Sequence, residues 1–167
     1  GYDGIAIANS NKGADFHLSL RDLYLALAKD IPADIDGKTV KPNPYKRWIE
    51  INPTYPDLPI VVYGPPPTSG TRDALNELGI ERGCKTYPER KKLKESNKKL
   101  YKSECRAIRT DGAYIEAGEN DNLIIEKLIT NPDSLGIFGY SFLDETRDKV
   151  KAATINGVSP EFELISN

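Results

Sequence analysis

Between residues 60 and 80 an apolar run, a Gly/Pro loop and a helix start follow one another, and the helix opens at Thr68-Ser69-Gly70-Thr71-Arg72-Asp73. These residue types suit anion binding. The first N–H groups of a helix lack intrahelical partners and lie at the positive end of its dipole. Gly70 has no Cβ to keep a ligand off the backbone. Ser69 and Thr71 supply hydroxyl donors, and Arg72 supplies a planar fork of N–H groups. The dipole contributes about 0.3–1 kcal/mol, against about 1.5–3 kcal/mol for each hydrogen bond to a charged group, so donor count decides affinity. The plainer alternative is that Thr68 or Ser69 only caps a helix, while Arg72 pairs with Asp73 or a nearby acid. Spacing alone leaves both readings open. This is not a Walker loop, because no Gly-Lys-Ser/Thr follows.

Elsewhere the chain offers little reactive chemistry. His17 is the sole histidine, so a Ser-His or Cys-His centre would have to assemble from distant residues, and a surface or satisfied His is the simpler reading. No His/Cys cluster has metal-ligand spacing. Glu116, Glu119 and Asp121 lack the Ca²⁺-loop pattern and read as charges at a helix start. Residues 81–109 hold 11 Lys/Arg against 4 Asp/Glu. Glu81, Glu89, Glu95 and Glu104 interrupt that basic run, and Tyr87 and Tyr101 are its only aromatics. A solvated helix face accounts for it better than a nucleic-acid surface.

The elements that must position the loop can be read from periodicity and punctuation. Ile5–Ala8 reads as a strand. Ser19 caps a helix carrying Leu20, Leu23, Tyr24 and Leu27, with Asp22 at the capping-box position and Pro32 closing it. Eight of the 12 prolines fall between Pro42 and Pro67, which excludes a long helix there. Ile60–Tyr63 is a short β-branched strand leading into the loop. The helix beyond turns Ala74, Leu75 and Leu78 inward and stops at Gly79. Pro88 starts a charged helix to about Leu100, anchored by Leu93 and Leu100. Strands follow at Arg106–Arg109, Tyr114–Ile115, Leu135–Gly139 and Lys149–Ile155. Asp111-Gly112 and Asn156-Gly157 form turns. Asn120 or Asp121 caps a helix with Leu123, Ile124 and Leu128 that ends before Pro132.

Strands alternating with helices define an α/β fold, and 167 residues with a net charge of −2 suit one domain. No apolar run approaches the ~20 residues of a membrane span, so membrane insertion is not expected. The chain contains no Met, opens in mid-strand, and ends at Glu161–Ile165 without a helix stop, as a segment of a longer protein would.

Pro67-Thr68-Ser69-Gly70-Thr71-Arg72-Asp73-Ala74 resembles the Ser-Gly-Thr loop of periplasmic phosphate-binding proteins, the receptors of ABC phosphate importers. Further stretches agree in order along nearly the whole chain. They are Gly1–Ala6, Trp48-Ile49-Glu50-Ile51-Asn52, Gly118-Glu119-Asn120-Asp121 and Leu135-Gly136-Ile137-Phe138-Gly139-Tyr140. In that family two α/β lobes close on one phosphate. The resemblance implies that residues 1–167 are the second lobe of a type II periplasmic-binding-protein fold, a mixed sheet flanked by helices, with the first lobe absent. It further implies that Ser69, Gly70, Thr71 and Arg72 bind phosphate, with Thr68, Asp73, Asn120 and Asp121 supporting them. Some members place Arg and Asp just before the Ser, whereas this chain has Pro66 and Pro67. The basic contact then falls to Arg72 or to a residue elsewhere, with Asp73 orienting Arg72.

The implied function is capture of inorganic phosphate in the periplasm and its delivery to ABC permease subunits, without catalysis, cofactor, metal or nucleic acid. Alternatives are a receptor lobe for sulfate or molybdate, and a regulatory or inhibitory phosphate-binding module. Half a site should bind phosphate weakly, because the acidic acceptor that tells protonated phosphate from sulfate sits in the family mainly on the other lobe. In a periplasmic protein Cys84 and Cys105 form a disulfide more readily than a metal site, and the alternative is two buried thiols.

Overall fold

The computed structural model describes residues 4–157. β1 (Ile5–Ser10) is buried at every position, as a central strand covered on both faces must be. It lies in a five-stranded sheet with β5 (Val62–Gly64), β6 (Tyr114–Glu116), β7 (Leu135–Gly139) and β8 (Val150–Ala152), in the order β6-β5-β7-β1-β8. β6, β5 and β7 run parallel, whereas β1 is antiparallel to both β7 and β8. The sheet is therefore mixed.

The period-2 pleat sends alternate residues of β1 into two cores. Ile5 and Ile7 join Val62, Leu135 and Ile137 under helix α1 (Leu20–Leu27) and the long helix that follows the Ser-Gly-Thr loop. Ala6 and Ala8 face Phe138, Val150 and helix α7 (Asp121–Thr130), which contributes Ile124, Ile125 and Leu128. Each buried Ile or Leu contributes about 1.5–3 kcal/mol. Trp48, in the one-turn helix α2 (Trp48–Ile51), is fully buried edge-on to Phe16 and Tyr55, at centroid distances of 5.4 and 6.4 Å. Two short pairs complete the periphery: β2 (His17–Leu18) with β9 (Thr154–Ile155), and β3 (Asp30–Pro32) with β4 (Val40–Pro42).

Local signals are obeyed at most helix starts. The Ser19 side chain accepts from the Asp22 N–H at 3.0 Å, and the Asn120 side chain accepts from the Asn122 N–H at 2.9 Å. The departures come from packing. The helix after the loop does not stop at Gly79: α3 (Gly70–Ala74) continues through a π-helical stretch, Leu75–Glu81, into α4 (Arg82–Cys84). Gly83 is a contact point, since a Cβ there would be driven into the Leu20 carbonyl and the Tyr24 side chain of α1.

The helix starting at Pro88 is two helices, α5 (Pro88–Ser96) and α6 (Lys98–Cys105), with Asn97 capping the second at 3.1 Å. Leu100 is not an anchor; it is 40% exposed, and Tyr101 and Arg90 are buried instead. Arg106–Arg109 makes only an isolated bridge, Ala28 to Ile108. Pro32 lies in β3, beyond the end of α1 at Leu27. Ile60 and Val61 precede β5, although the Val61 carbonyl still accepts from the Leu135 N–H at 3.0 Å. Leu123 is exposed and Ile125 takes the inward place beside Ile124. Cys84 and Cys105 are joined in a disulfide, Cα–Cα 5.5 Å. The expected start at Gly1–Asp3 and the Glu161–Ile165 end lie outside the described residues.

Candidate functional site

The parallel strands β5, β6 and β7 end on one side of the sheet, at Gly64, Glu116 and Gly139. In open α/β sheets ligands bind in the crevice at such carboxyl ends. The Ser-Gly-Thr loop leaves β5 on that side, and α7 begins there after β6. A hydrogen bond from Thr68 Oγ1 to Glu119 Oε1 (2.7 Å) ties the two helix starts together.

Ser69 is the N-cap of α3. Its Oγ accepts from the Thr71 N–H at 3.1 Å, and its carbonyl accepts from the Arg72 and Asp73 N–H groups at 3.1 and 3.3 Å. Those bonds leave the Gly70 N–H over, and the Ser69 hydroxyl keeps its proton to donate. A Cβ built on Gly70 meets no atom within 4 Å, so neighbouring atoms in the fold do not exclude a side chain there.

Arg72 is held from beneath. Its Nη1 donates to the Pro65 carbonyl at 3.2 Å, and its guanidinium lies over the Tyr114 ring, 5.1 Å from the centroid. Its Nε is buried without a partner. Tyr114 donates to the same Pro65 carbonyl at 2.6 Å, and burial pushes its phenol up to about 12, so it remains a donor at neutral pH. Gly64 makes room for this ring, since a Cβ would come within 2.7 Å of Tyr114 Cζ. Pro65 and Tyr114 thus orient Arg72, the role expected of Asp73, which is exposed on the same turn. Arg72 and Tyr114 line a cleft of about 310 Å³ together with Arg109 and Glu116.

Asn120 caps α7, and Asp121 begins it half-buried; desolvation raises the Asp121 carboxyl, partly offset by a hydrogen bond from the Gly139 backbone. All eight residues expected at or around the site therefore sit on the two helix starts above the same strand ends. Tyr114 was missed because nothing in its neighbourhood in sequence marks it; only the parallel pairing of β5 with β6 brings it under Arg72. His17 is exposed and bonded to Thr154 Oγ1 at 2.9 Å. No group of three or more His, Cys, Asp or Glu side chains among the described residues could hold a metal ion. No described helix is long and apolar enough to cross a membrane.

Fold and site together define an α/β lobe with a polar helix-start loop at the carboxyl ends of its parallel strands. The sequence profile described as PBP superfamily domain matches residues 1–166, and the chain belongs to that family. It is 28% identical over 146 residues to the protein SphX of Synechococcus elongatus, covering 84% of this chain and 34% of SphX. It is 26% identical over 153 residues to the phosphate-binding protein PstS of Staphylococcus epidermidis, covering 92% of this chain and 34% of that protein. The fold matches the crystal structure of PstS from Borrelia burgdorferi with a TM-score of 0.62 at 18% identity, covering 95% of this chain and 49% of the other. The chain thus spans about a third of these curated relatives and about half of the solved one, a lobe-sized portion.

Proposed function

We propose that this chain is the second lobe of a phosphate receptor and that Ser69, Gly70, Thr71 and Arg72 supply its half of the phosphate site. The observation that carries the reading is Gly70. It stands at a helix start in open space, with its N–H left over, beside a buttressed arginine. A phosphate oxygen approaching that N–H needs the volume a Cβ would fill. The relatives named as phosphate-binding proteins support phosphate as the anion. In the intact protein a first lobe would close over the bound anion, and the receptor would deliver it from the periplasm to ABC permease subunits without covalent chemistry. Thr68, Asp73, Asn120 and Asp121 would shape the rim.

A backbone-amide NMR titration with phosphate, repeated with sulfate at matched ionic strength, tests the reading. Millimolar phosphate should move the amides of residues 69–72, with comparable sulfate shifts because selectivity belongs to the other lobe. Gly70→Ala should keep or slightly raise thermal stability, since Ala costs less chain entropy than Gly, while weakening phosphate at least ten-fold. Unmoved loop amides, or an Ala variant that binds as well as the wild type, would reduce the loop to an ordinary helix cap.

A further inference from the structure

The hairpin of α5 and α6 carries a feature that anion capture at residues 69–72 does not use. Lys91, Lys92, Lys94, Lys98, Lys99 and Lys102 are all exposed on it. Its acids offset only part of that charge: Glu104 is turned inward onto Arg90 at 2.6 Å, Glu89 pairs with Lys92 at 3.7 Å, and Glu95 is the one other acid, exposed among the six lysines. The hairpin is rigid. The Cys84–Cys105 disulfide ties α6 to α4, Tyr101 donates to Glu81 at 2.8 Å, and the buried Arg90 donates to the carbonyls of Gly37 and Lys38. Between it and the π-helical stretch lies a cavity of about 260 Å³ lined by Arg82, Lys85, Lys94 and Arg106 with Glu77 and Glu81, of which Arg106 and Glu81 pair at 3.0 Å.

We propose that this hairpin docks the protein on an anionic membrane surface, its lysines meeting phosphate headgroups. Two observations favour lipid over nucleic acid. Both aromatics of the segment, Tyr87 and Tyr101, are buried, so no platform exists on which bases could stack. Leu100 is 40% exposed beside Lys99, so an aliphatic side chain stands at the surface of the basic hairpin where it can enter the headgroup layer. The position also suits a receptor. Residues 70–84 form one continuous helical run of about 20 Å, so the hairpin adjoins the end far from the Ser-Gly-Thr loop, and docking leaves that loop open.

Vesicle flotation of the full chain tests this, with phosphatidylcholine vesicles compared with vesicles containing 30% phosphatidylglycerol. Binding should require phosphatidylglycerol and vanish in high salt, because surface attraction is screened within a Debye length. Each basic residue near the surface strengthens attachment about five-fold, so Lys98→Gln/Lys99→Gln/Lys102→Gln should weaken it about 100-fold while leaving phosphate-induced NMR shifts at residues 69–72 unchanged. Leu100→Ser should weaken vesicle binding several-fold at constant charge. Equal binding to both vesicle types, or to neither, overturns the proposal. So does retardation of a DNA duplex at lower protein concentration than vesicle binding, which would make the face a nucleic-acid surface. Should the triple variant fail to fold, the lipid and salt dependence of the wild-type chain still decides.

Discussion

At Arg72 one side chain has two claims on it: the Pro65 carbonyl and Tyr114 ring that hold it, and the anion it is proposed to meet. A guanidinium has five N–H donors in a fixed planar fork, so it can stack on the ring, donate to the carbonyl and still meet an anion, whereas an ammonium has neither the fork nor the flat face. Arg72→Lys should therefore weaken phosphate binding about ten-fold by isothermal titration while barely shifting the melting temperature. Tyr114→Phe removes the hydroxyl but keeps the ring, and Pro65 retains its bond from Arg72. The expected cost is about 1 kcal/mol of stability in a denaturant titration. Tyr114→Ala also removes the ring beneath the guanidinium and should lower phosphate affinity further than Phe does. Equal affinities for the Phe and Ala variants would mean that the ring does not position Arg72. Ser69, Gly70, Thr71 and Arg72 were legible because a helix start is a local pattern. Tyr114 was illegible because a strand pairing put it there.

Among the elements, the π-helical stretch and the α5–α6 hairpin were the least legible. Gly79 looks like a helix stop in one dimension, yet the helix runs on against α1, whose Leu20 and Tyr24 press on Gly83. Gly83→Val should destabilise the chain by about 2–3 kcal/mol, because the crowding falls on backbone as well as side chain. The sequence of residues 88–105 shows one helix from Pro88 to about Leu100, but not its break at Asn97, the second helix on to Cys105, or the inward turn of Arg90, which depends on carbonyls more than 50 residues earlier. The disulfide closes this region with a separation of 21 residues. Replacing Cys84 and Cys105 with Ser should cost about 3 kcal/mol in the chain-entropy account, read as a lowered urea midpoint.

For the molecule as a whole, one buried cation links three segments. Arg109 is 2% exposed and donates to the carbonyls of Ala26 (2.9 Å) and Tyr45 (2.7 Å), and in a fork to both oxygens of Asp111. The Arg109 hydrogen bonds hold the Asp111 carboxyl well below its ordinary value of 3.8. A carboxyl lowered by folding binds protons more readily when unfolded. Its contribution is complete above about pH 5 and is lost as pH falls below the unfolded value toward the folded one. Asp111→Asn should cost about 2 kcal/mol at pH 7, less than a fully buried pair because Asp111 is 37% exposed, and should flatten the decline between pH 5 and 2. Urea midpoints across that range check it; an unchanged slope would assign the acid sensitivity to other groups.

By itself the sequence determined what is written locally: the cap at Ser19, a cap at Asn120 or Asp121, the apolar run of β1, the loop of small and hydroxylated residues before α3, and the α/β alternation. Each depends on neighbours within one turn or one pleat, where sterics and hydrogen bonding act regardless of the rest of the chain. Tertiary structure decided which of these meet. It joined Thr68 to Glu119, slid Tyr114 under Arg72, buried Arg109 among three segments and drew Cys84 to Cys105. Such contacts span many residues in sequence and form only where the packed fold brings the partners together, which composition and spacing do not assign.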